Sequence, residues 1–416
     1  MKQEGDPKGN DEHAHFFYGY VIVFASFIIL VLSFGINYSF GIFFKPLLAQ
    51  FDWTRAATSA AYSLMTLVSG FLGIFAGRLS DAFGPKIIGI LAGAFLGSGL
   101  LLLSQTQNLF HFYLFYGGFI AAGVGGCWPG LLPAVAKWFV KRRGLMTGIV
   151  TSGIGFGTLT IPPLAEWLIS IFTWRTAYVV IGIMTFVVVI SVSLFLKADP
   201  REVGKLPYGG NNDVNERKHS PIEGFTFPEA LRTNHFWLIG AIYFGYGYCL
   251  HTVMVHLSPY IQDMGFSSTD AALVLAFIGL PNTLARIIVG IASDKFGVKP
   301  SLVILLLIMV ISLVWIQVAQ GLGMLYLFAF IFGIGSGGVI ALQALATAES
   351  FGLRSLGVIL GTVTFIYTTG GATGAFFSGF IFDLMGSYSP AFRIAFVLAL
   401  LSLMLTQLLK KPQLTD

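Results

Sequence analysis

Gly77-Arg78-Leu79-Ser80-Asp81-Ala82-Phe83-Gly84-Pro85-Lys86 and Gly290-Ile291-Ala292-Ser293-Asp294-Lys295-Phe296-Gly297-Val298-Lys299 match in glycine, serine, aspartate, phenylalanine, glycine and lysine at an offset of 213 residues. Working outward, the same offset sets Pro46 on Pro259, Gly144 on Gly357, Gly148 on Gly361 and Gly157 on Gly370. One gapless register held over more than 100 residues marks a duplicated unit. Each copy of the stretch is a polar loop between apolar runs. Its glycines permit a tight turn, and an aspartate beside a helix end can accept hydrogen bonds or pair with a base across a seam.

The flanking sequence is made for lipid. Of 416 residues, 56% are apolar and 10% charged, and the mean hydropathy is +0.81, beyond what a water-soluble domain of this size tolerates. Twelve runs have about the 20 residues needed to cross the hydrocarbon. They lie near 17–43, 56–77, 87–104, 110–136, 145–165 and 176–196, then near 236–260, 270–292, 301–320, 324–347, 356–380 and 391–410. Between the two sets the apolar pattern stops, from Lys197 to Arg232, where Phe227-Pro228-Glu229-Ala230-Leu231-Arg232 has the makings of a short surface helix. The expected organisation is all-α and integral to the membrane. It comprises a six-helix bundle over 1–196, a cytoplasmic linker over 197–235 and a second, pseudo-symmetric six-helix bundle over 236–416.

Charge sets the orientation. With both termini in the cytoplasm, 19 of the 24 Lys and Arg face inside and four face outside: Lys45, Arg55, Arg175 and Arg393. The net charge of +5 is therefore a topology signal, not a nucleic-acid footprint. The first run is too long for a signal-peptide core and no small-residue cleavage pattern follows it. Cys127 and Cys249 both fall within runs, which argues against a disulfide framework and for small packing residues. The expected location is the cell's inner, cytoplasmic membrane.

The paired loops resemble the Gly-x-x-x-Asp-x-x-Gly-x-Lys/Arg loop of the major facilitators, present in both halves at the places that family requires. The resemblance implies a transporter that works by alternating access, with Arg78, Asp81 and Lys86 of the first loop and Asp294, Lys295 and Lys299 of the second serving a gate. Between the fourth and fifth runs, Lys137-Trp138-Phe139-Val140-Lys141-Arg142-Arg143-Gly144-Leu145-Met146-Thr147-Gly148 is similar to a segment of the monocarboxylate transporters. The likeness extends to Gly41-Ile42-Phe43-Phe44-Lys45 and to Ala285-Arg286, where that family places a substrate-binding arginine. A basic residue such as Arg143 anchors the cytoplasmic side and is a candidate for the gate. Three departures stand out: Tyr38 replaces the family's lysine, Asn282 replaces its aspartate, and Tyr18-Gly19-Tyr20 is what survives of its acidic opening signature. The short linker and C-terminus imply, on this likeness, a bacterial member without regulatory tails.

Among candidate site residues Arg286 stands first. A charged side chain inside a span costs about 2.5–3.5 kcal/mol on insertion scales, so such residues face the bundle interior and serve transport. A guanidinium also matches a carboxylate in a two-pronged hydrogen bond. Asn282, four residues earlier, shares its helical face. Tyr38 and His251 are related by the 213 offset, so pseudo-symmetry puts them at similar depth. His251 and His256 are the candidates for proton coupling, although their spacing points them apart. Phe34 and Tyr367 are candidates for the pocket wall, with ordinary packing as the alternative. Asp263, Glu166 and Asp383 fall near outer ends and read as solvated.

Several motifs carry no chemistry. Gly333-Ile334-Gly335-Ser336-Gly337-Gly338 imitates a dinucleotide loop but lies in an apolar run, where close helix packing explains it. Gly153-Ile154-Gly155-Phe156-Gly157 with Pro162-Pro163 lacks the ending of the antiporter motif it resembles. No nucleotide loop, hydrolytic triad or metal cluster is present, so neither an enzyme nor an ATP-driven pump is expected. The expected function is proton-coupled symport of a small monocarboxylate of the L-lactate or pyruvate class. The alternatives are a carboxylate antiporter of the oxalate/formate type and a transport-inactive membrane sensor. The expected partners are the monocarboxylate, a proton and the lipid bilayer, without nucleic acid, metal or cofactor, and the carrier is expected to be a monomer.

Overall fold

The computed structural model describes residues 17–209, 224–352 and 354–409, apart from the side chains at 77, 78, 81, 128, 129, 290 and 294. Twelve helices in it are long and apolar enough to cross a bilayer. In chain order they are α1 (Gly19–Phe51), α2 (Arg55–Phe83), α3 (Pro85–Leu103), α4 (Leu109–Trp138), α5 (Arg143–Ile171) and α6 (Trp174–Ser193). The second set is α7 (Asn234–Asp263), α8 (Ser268–Phe296), α9 (Val298–Val318), α10 (Leu322–Phe351), α11 (Leu356–Met385) and α12 (Ser389–Gln407). They form two six-helix bundles. The apolar runs anticipate these helices, but most continue past them, α1, α2, α5 and α11 furthest, because hydropathy reports where apolar residues end and not where backbone hydrogen bonding ends. In lipid that bonding must be satisfied within each helix.

The face of the molecule that holds the described chain ends is called here the terminal face, and the opposite one the distal face. The short linker helix Phe227–Leu231 forms on the terminal side, closed by reciprocal bonds between Thr226 and Glu229. The capping bond from the Thr226 amide to Glu229, 2.7 Å long, holds that carboxyl below the usual carboxylate range.

The duplication is visible in backbone geometry. Gly84 and Gly297 close α2 and α8 with φ of 81° and 88°, and each opens the next helix. At the distal turns Asp52 and Gly265, again 213 apart, are both left-handed, with φ of 52° and 93°. Two residues further on, Thr54 and Ser267 each cap the following helix through a side-chain oxygen.

The bundles meet along α1 with α7, α2 with α11 and α5 with α8. At mid-depth Gly155 of α5 lies on Gly279 and Thr283 of α8, where any added Cβ would collide with backbone. Pro259 has no N–H for the Val255 carbonyl, and that carbonyl faces Gly41 of α1. Nearer the terminal face the seam loosens. Gly144 and Gly148 at the start of α5, and their duplicates Gly357 and Gly361 at the start of α11, have no described residue within 4 Å of where a Cβ would stand.

The positive φ at Gly84 and Gly297 makes a direct test. Valine at either position should destabilise the detergent-solubilised protein by about 1–3 kcal/mol, the cost of forcing an L-residue into an extended, positive-φ region open essentially only to glycine. Gly321→Ala, at a negative φ with open space beside it, should leave thermal unfolding unchanged within error.

Candidate functional site

Arg286 lies on α8, 5% exposed, with its guanidinium turned into the protein. Its Nε donates to Asn282 Oδ1 at 3.0 Å, the i−4 pairing that one helical face provides. The amide of Asn282 is fixed in turn: Nδ2 donates to Ser336 Oγ of α10 at 3.2 Å, so Oδ1 is left for the arginine. Gly337 lets α10 come this near, since a Cβ there would stand 2.5 Å from the Asn282 carbonyl oxygen. The glycine-rich segment 333–338 is thus a helix-packing device, as its apolar context indicates. Arg286 Nη1 is buried and has no hydrogen-bond partner among the described residues.

Among the described residues, the groups in electrostatic range of Arg286 are the hydroxyls of Tyr38, Tyr246 and Tyr367, and no described carboxylate is among them. The hydroxyl of Tyr38 of α1 lies beside that of Tyr367 of α11, and Phe34 packs one turn before Tyr38 with ring centroids 6.2 Å apart. Tyr246 of α7 stacks on Tyr367 at 5.6 Å and donates to the Ser336 carbonyl at 2.7 Å. Tyr246 and Ser336 were not found by sequence reasoning. The run Tyr243, Tyr246, Tyr248 inside a span was the available signal, since a phenol in hydrocarbon needs a partner.

His251 joins this group. Its ring lies 5.5 Å from Tyr367 and 5.7 Å from Tyr62, whose hydroxyl is buried without a protein partner among the described residues. His251 Nδ1 is 3.0 Å from the Gly247 carbonyl, which only accepts, so Nδ1 carries the hydrogen and Nε2 is the basic atom. A side chain at Gly371 would overlap the imidazole, so that glycine makes its room. Tyr367 therefore bridges the two candidates: its ring touches His251 and its hydroxyl is in range of Arg286.

His256 belongs elsewhere, at a distal cluster that joins the bundles. Asp263, at the end of α7, receives Lys45 at 2.7 Å and both terminal nitrogens of Arg55 at 2.7 and 3.1 Å. Asp383 of α11 accepts from the amides of Arg55 and Ala56 at 3.0 and 2.7 Å, so a carboxylate of one bundle caps a helix of the other. Glu166 is 6% exposed, with Ser268 at the start of α8 beside it. The expectation of solvated acids is corrected at Glu166, which is buried, whereas Asp263 and Asp383 are exposed as expected but are also paired across the seam. Position at a helix end says nothing about which bundle stands opposite.

Of the residues assigned to the gate, Arg78, Asp81 and Asp294 have side chains outside the described residues. Lys86 and Lys295 are exposed. Lys299 Nζ donates to the Gln407 and Leu409 carbonyls at 2.7 and 2.8 Å, closing the end of α12 within its own bundle. Arg143 Nε donates to the Phe139 carbonyl at 3.1 Å, a bond local to the α4–α5 turn.

The whole chain has relatives. Residues 26–285 and 243–414 match the family model of the Major Facilitator Superfamily. Monocarboxylate transporter 13 of Rattus norvegicus is 26% identical over 380 residues, covering 91% of this chain and 86% of that one. Monocarboxylate transporter 11 of Mus musculus is 26% identical over 410 residues, with 94% and 86% covered. Among solved structures, a bacterial homologue of the human lysosomal transporter Spinster superposes with a TM-score of 0.67 at 16% identity, over 94% of this chain and 95% of that one. A duplicated twelve-helix fold with a buried cation at the seam, matched along nearly its whole length by that family model, makes this chain a member of the Major Facilitator Superfamily, a secondary transporter and not an enzyme.

Proposed function

We propose that this transporter carries a small monocarboxylate of the L-lactate or pyruvate class together with protons, by alternating access across the cytoplasmic membrane with its terminal face inside. The observation that carries the reading is Arg286: a buried guanidinium whose Nε is held by Asn282 and whose Nη1 is left without a partner among the described residues. A buried donor of that kind is costly unless an acceptor arrives. A carboxylate is the acceptor whose geometry fits best. Arg286 is the one basic residue that the sequence places inside a span, which favours a single carboxylate over two. The distant relatives named as monocarboxylate transporters support the substrate class.

In this reading His251 takes the proton on Nε2. The positive field of Arg286 opposes a second charge on the imidazole, and an arriving carboxylate removes the opposition, so anion and proton favour each other's binding. Tyr38, Tyr246 and Tyr367 bind and orient the anion, and Phe34 backs the wall. The sealed distal seam and the open space beside Gly148 and Gly361 support access from the terminal face in this conformation.

Radiolabelled L-lactate uptake into proteoliposomes, driven by an inside-alkaline gradient, tests the proposal. Accumulation should be lost with a protonophore; equilibration without accumulation would point to uniport, and uptake only after preloading with a second carboxylate to exchange. Arg286→Gln should weaken lactate binding about 100-fold, as expected when a charge-assisted pair is removed, while the protein stays monodisperse. Saturable uptake at the normal level by that variant would end the assignment. His251→Gln should bind lactate and equilibrate it but fail to accumulate it. Gly337→Val should lower affinity about tenfold without touching the charge, because it displaces the asparagine that aims the guanidinium.

A further inference from the structure

The distal cluster contains a buried imidazole that the transport reading does not use. His256 is 0% exposed on α7. Its Nε2 lies 2.8 Å from the Ala375 carbonyl of α11, so that nitrogen carries a hydrogen. Its Nδ1 lies 3.1 Å from the hydroxyl of Tyr388, the residue before α12. That hydroxyl accepts from Arg55 Nη1 of α2 at 2.8 Å, leaving its own hydrogen to donate to Nδ1. One arrangement satisfies every atom: Arg55 donates to Tyr388, Tyr388 to His256, and His256 to Ala375. It requires a neutral imidazole.

The surroundings leave no room for an added charge. Phe44 of α1 covers the ring at 5.4 Å, and Tyr388 is 2% exposed. Beyond Tyr388 the charged groups are balanced: Lys45 and Arg55 from one bundle against Asp263 and Asp383 from the other. Tyr260, on α7 itself, adds only an uncharged ring packed against Tyr388.

We propose that this latch is a proton-operated switch: it closes the distal face only over a neutral His256, and a proton on Nδ1 opens it. Protonation turns the acceptor of the Tyr388 hydrogen into a donor. Tyr388 could then accept from both Arg55 and His256 only by leaving its own buried hydrogen without an acceptor. A second cation also stands in the shell of Arg55, uncompensated by the two acids. Because the disturbed relay ends on Arg55, which joins α2 to α7 and to the Tyr388 turn, an added charge there loosens the two bundles where they are pinned. His256 is thus a gating group of the distal face, separate from the proton that travels with cargo, and the inference does not depend on what the cargo is.

Spin labels on Gln107→Cys and Gln320→Cys report the gate, since both positions are exposed, one in the α3–α4 loop and one in the α9–α10 loop of the opposite bundles. The native Cys127 and Cys249 are buried and will not take label. In lipid nanodiscs without substrate, the ratio of long to short distances should rise about tenfold between about pH 8 and about pH 5.5, on either side of the ordinary imidazole value. His256→Gln, which can still accept from Tyr388 and remain neutral, should hold the short distance at both pH values. Tyr388→Phe, which cuts the relay and leaves the Arg55–Asp263 pair, should also flatten the response and provides a second variant. An unchanged distance in the wild-type sequence, or the same shift in His256→Gln, overturns the proposal. Lactate uptake measured in parallel keeps that outcome apart from the fate of the Arg286 assignment.

Discussion

The guanidinium of Arg286 must be solvated by protein, and much of the seam follows from that requirement. Asn282 meets the Nε, but an asparagine amide in hydrocarbon needs its own partner, and Ser336 supplies it from α10. Ser336 reaches only because Gly337 removes the side chain that would hold the helices apart. The carbonyl of Ser336 then takes Tyr246 of α7, and Tyr246 stacks on Tyr367 of α11. A single charge thus ties four helices of one bundle into a surface that faces Tyr38 of the other.

Two layers of polar contact join the bundles, and they differ in kind. At mid-depth the contacts are short and mostly uncharged, with Ser63 donating to the Ala372 carbonyl at 2.7 Å and Gly155 lying on Gly279. At the distal face they are ionic and partly wet: the side chains of Arg55 and Asp263 are 13% and 26% exposed. Packing of the first kind depends on shape and tolerates rocking about itself. Pairing of the second kind is broken by a small separation and is sensitive to ions and protons. The arrangement places a pivot near the ligand-binding residues and a catch at the rim.

The architecture was legible because the bilayer leaves few choices: run length, loop charge and an exact repeat offset each constrain the same twelve helices. Arg286 and Asn282 were legible for a similar reason, since an intramembrane base and an amide one turn away are local in sequence. Tyr246 and Ser336 were not, because what makes them part of the site is a contact between helices ninety residues apart. The burial of Glu166 and the pairing of Asp263 and Asp383 were missed for want of the partner bundle. One local sign of the latch was present: Arg55 occupies the first turn of α2, where the helix dipole disfavours a cation, so a carboxylate had to come from outside that helix. The separation of His251 from His256 depended on which neighbours α11 and Tyr388 supply, and spacing along α7 reports only that they diverge.

The loosened terminal half of the seam bears on how this sequence came to be constrained. Gly144 and Gly148, and their copies Gly357 and Gly361, are small without evident need in the conformation described: their backbone is ordinary and none of the described residues approaches them. Glycine weakens a helix, so keeping it in both copies of a duplicated unit has to be repaid by some other arrangement of the same chain. A carrier that exposes one face at a time must bring these helix ends together when the other face opens, and small residues are what let backbones meet. Selection on a two-state machine acts on both states, and half of what it retains is invisible in either one alone.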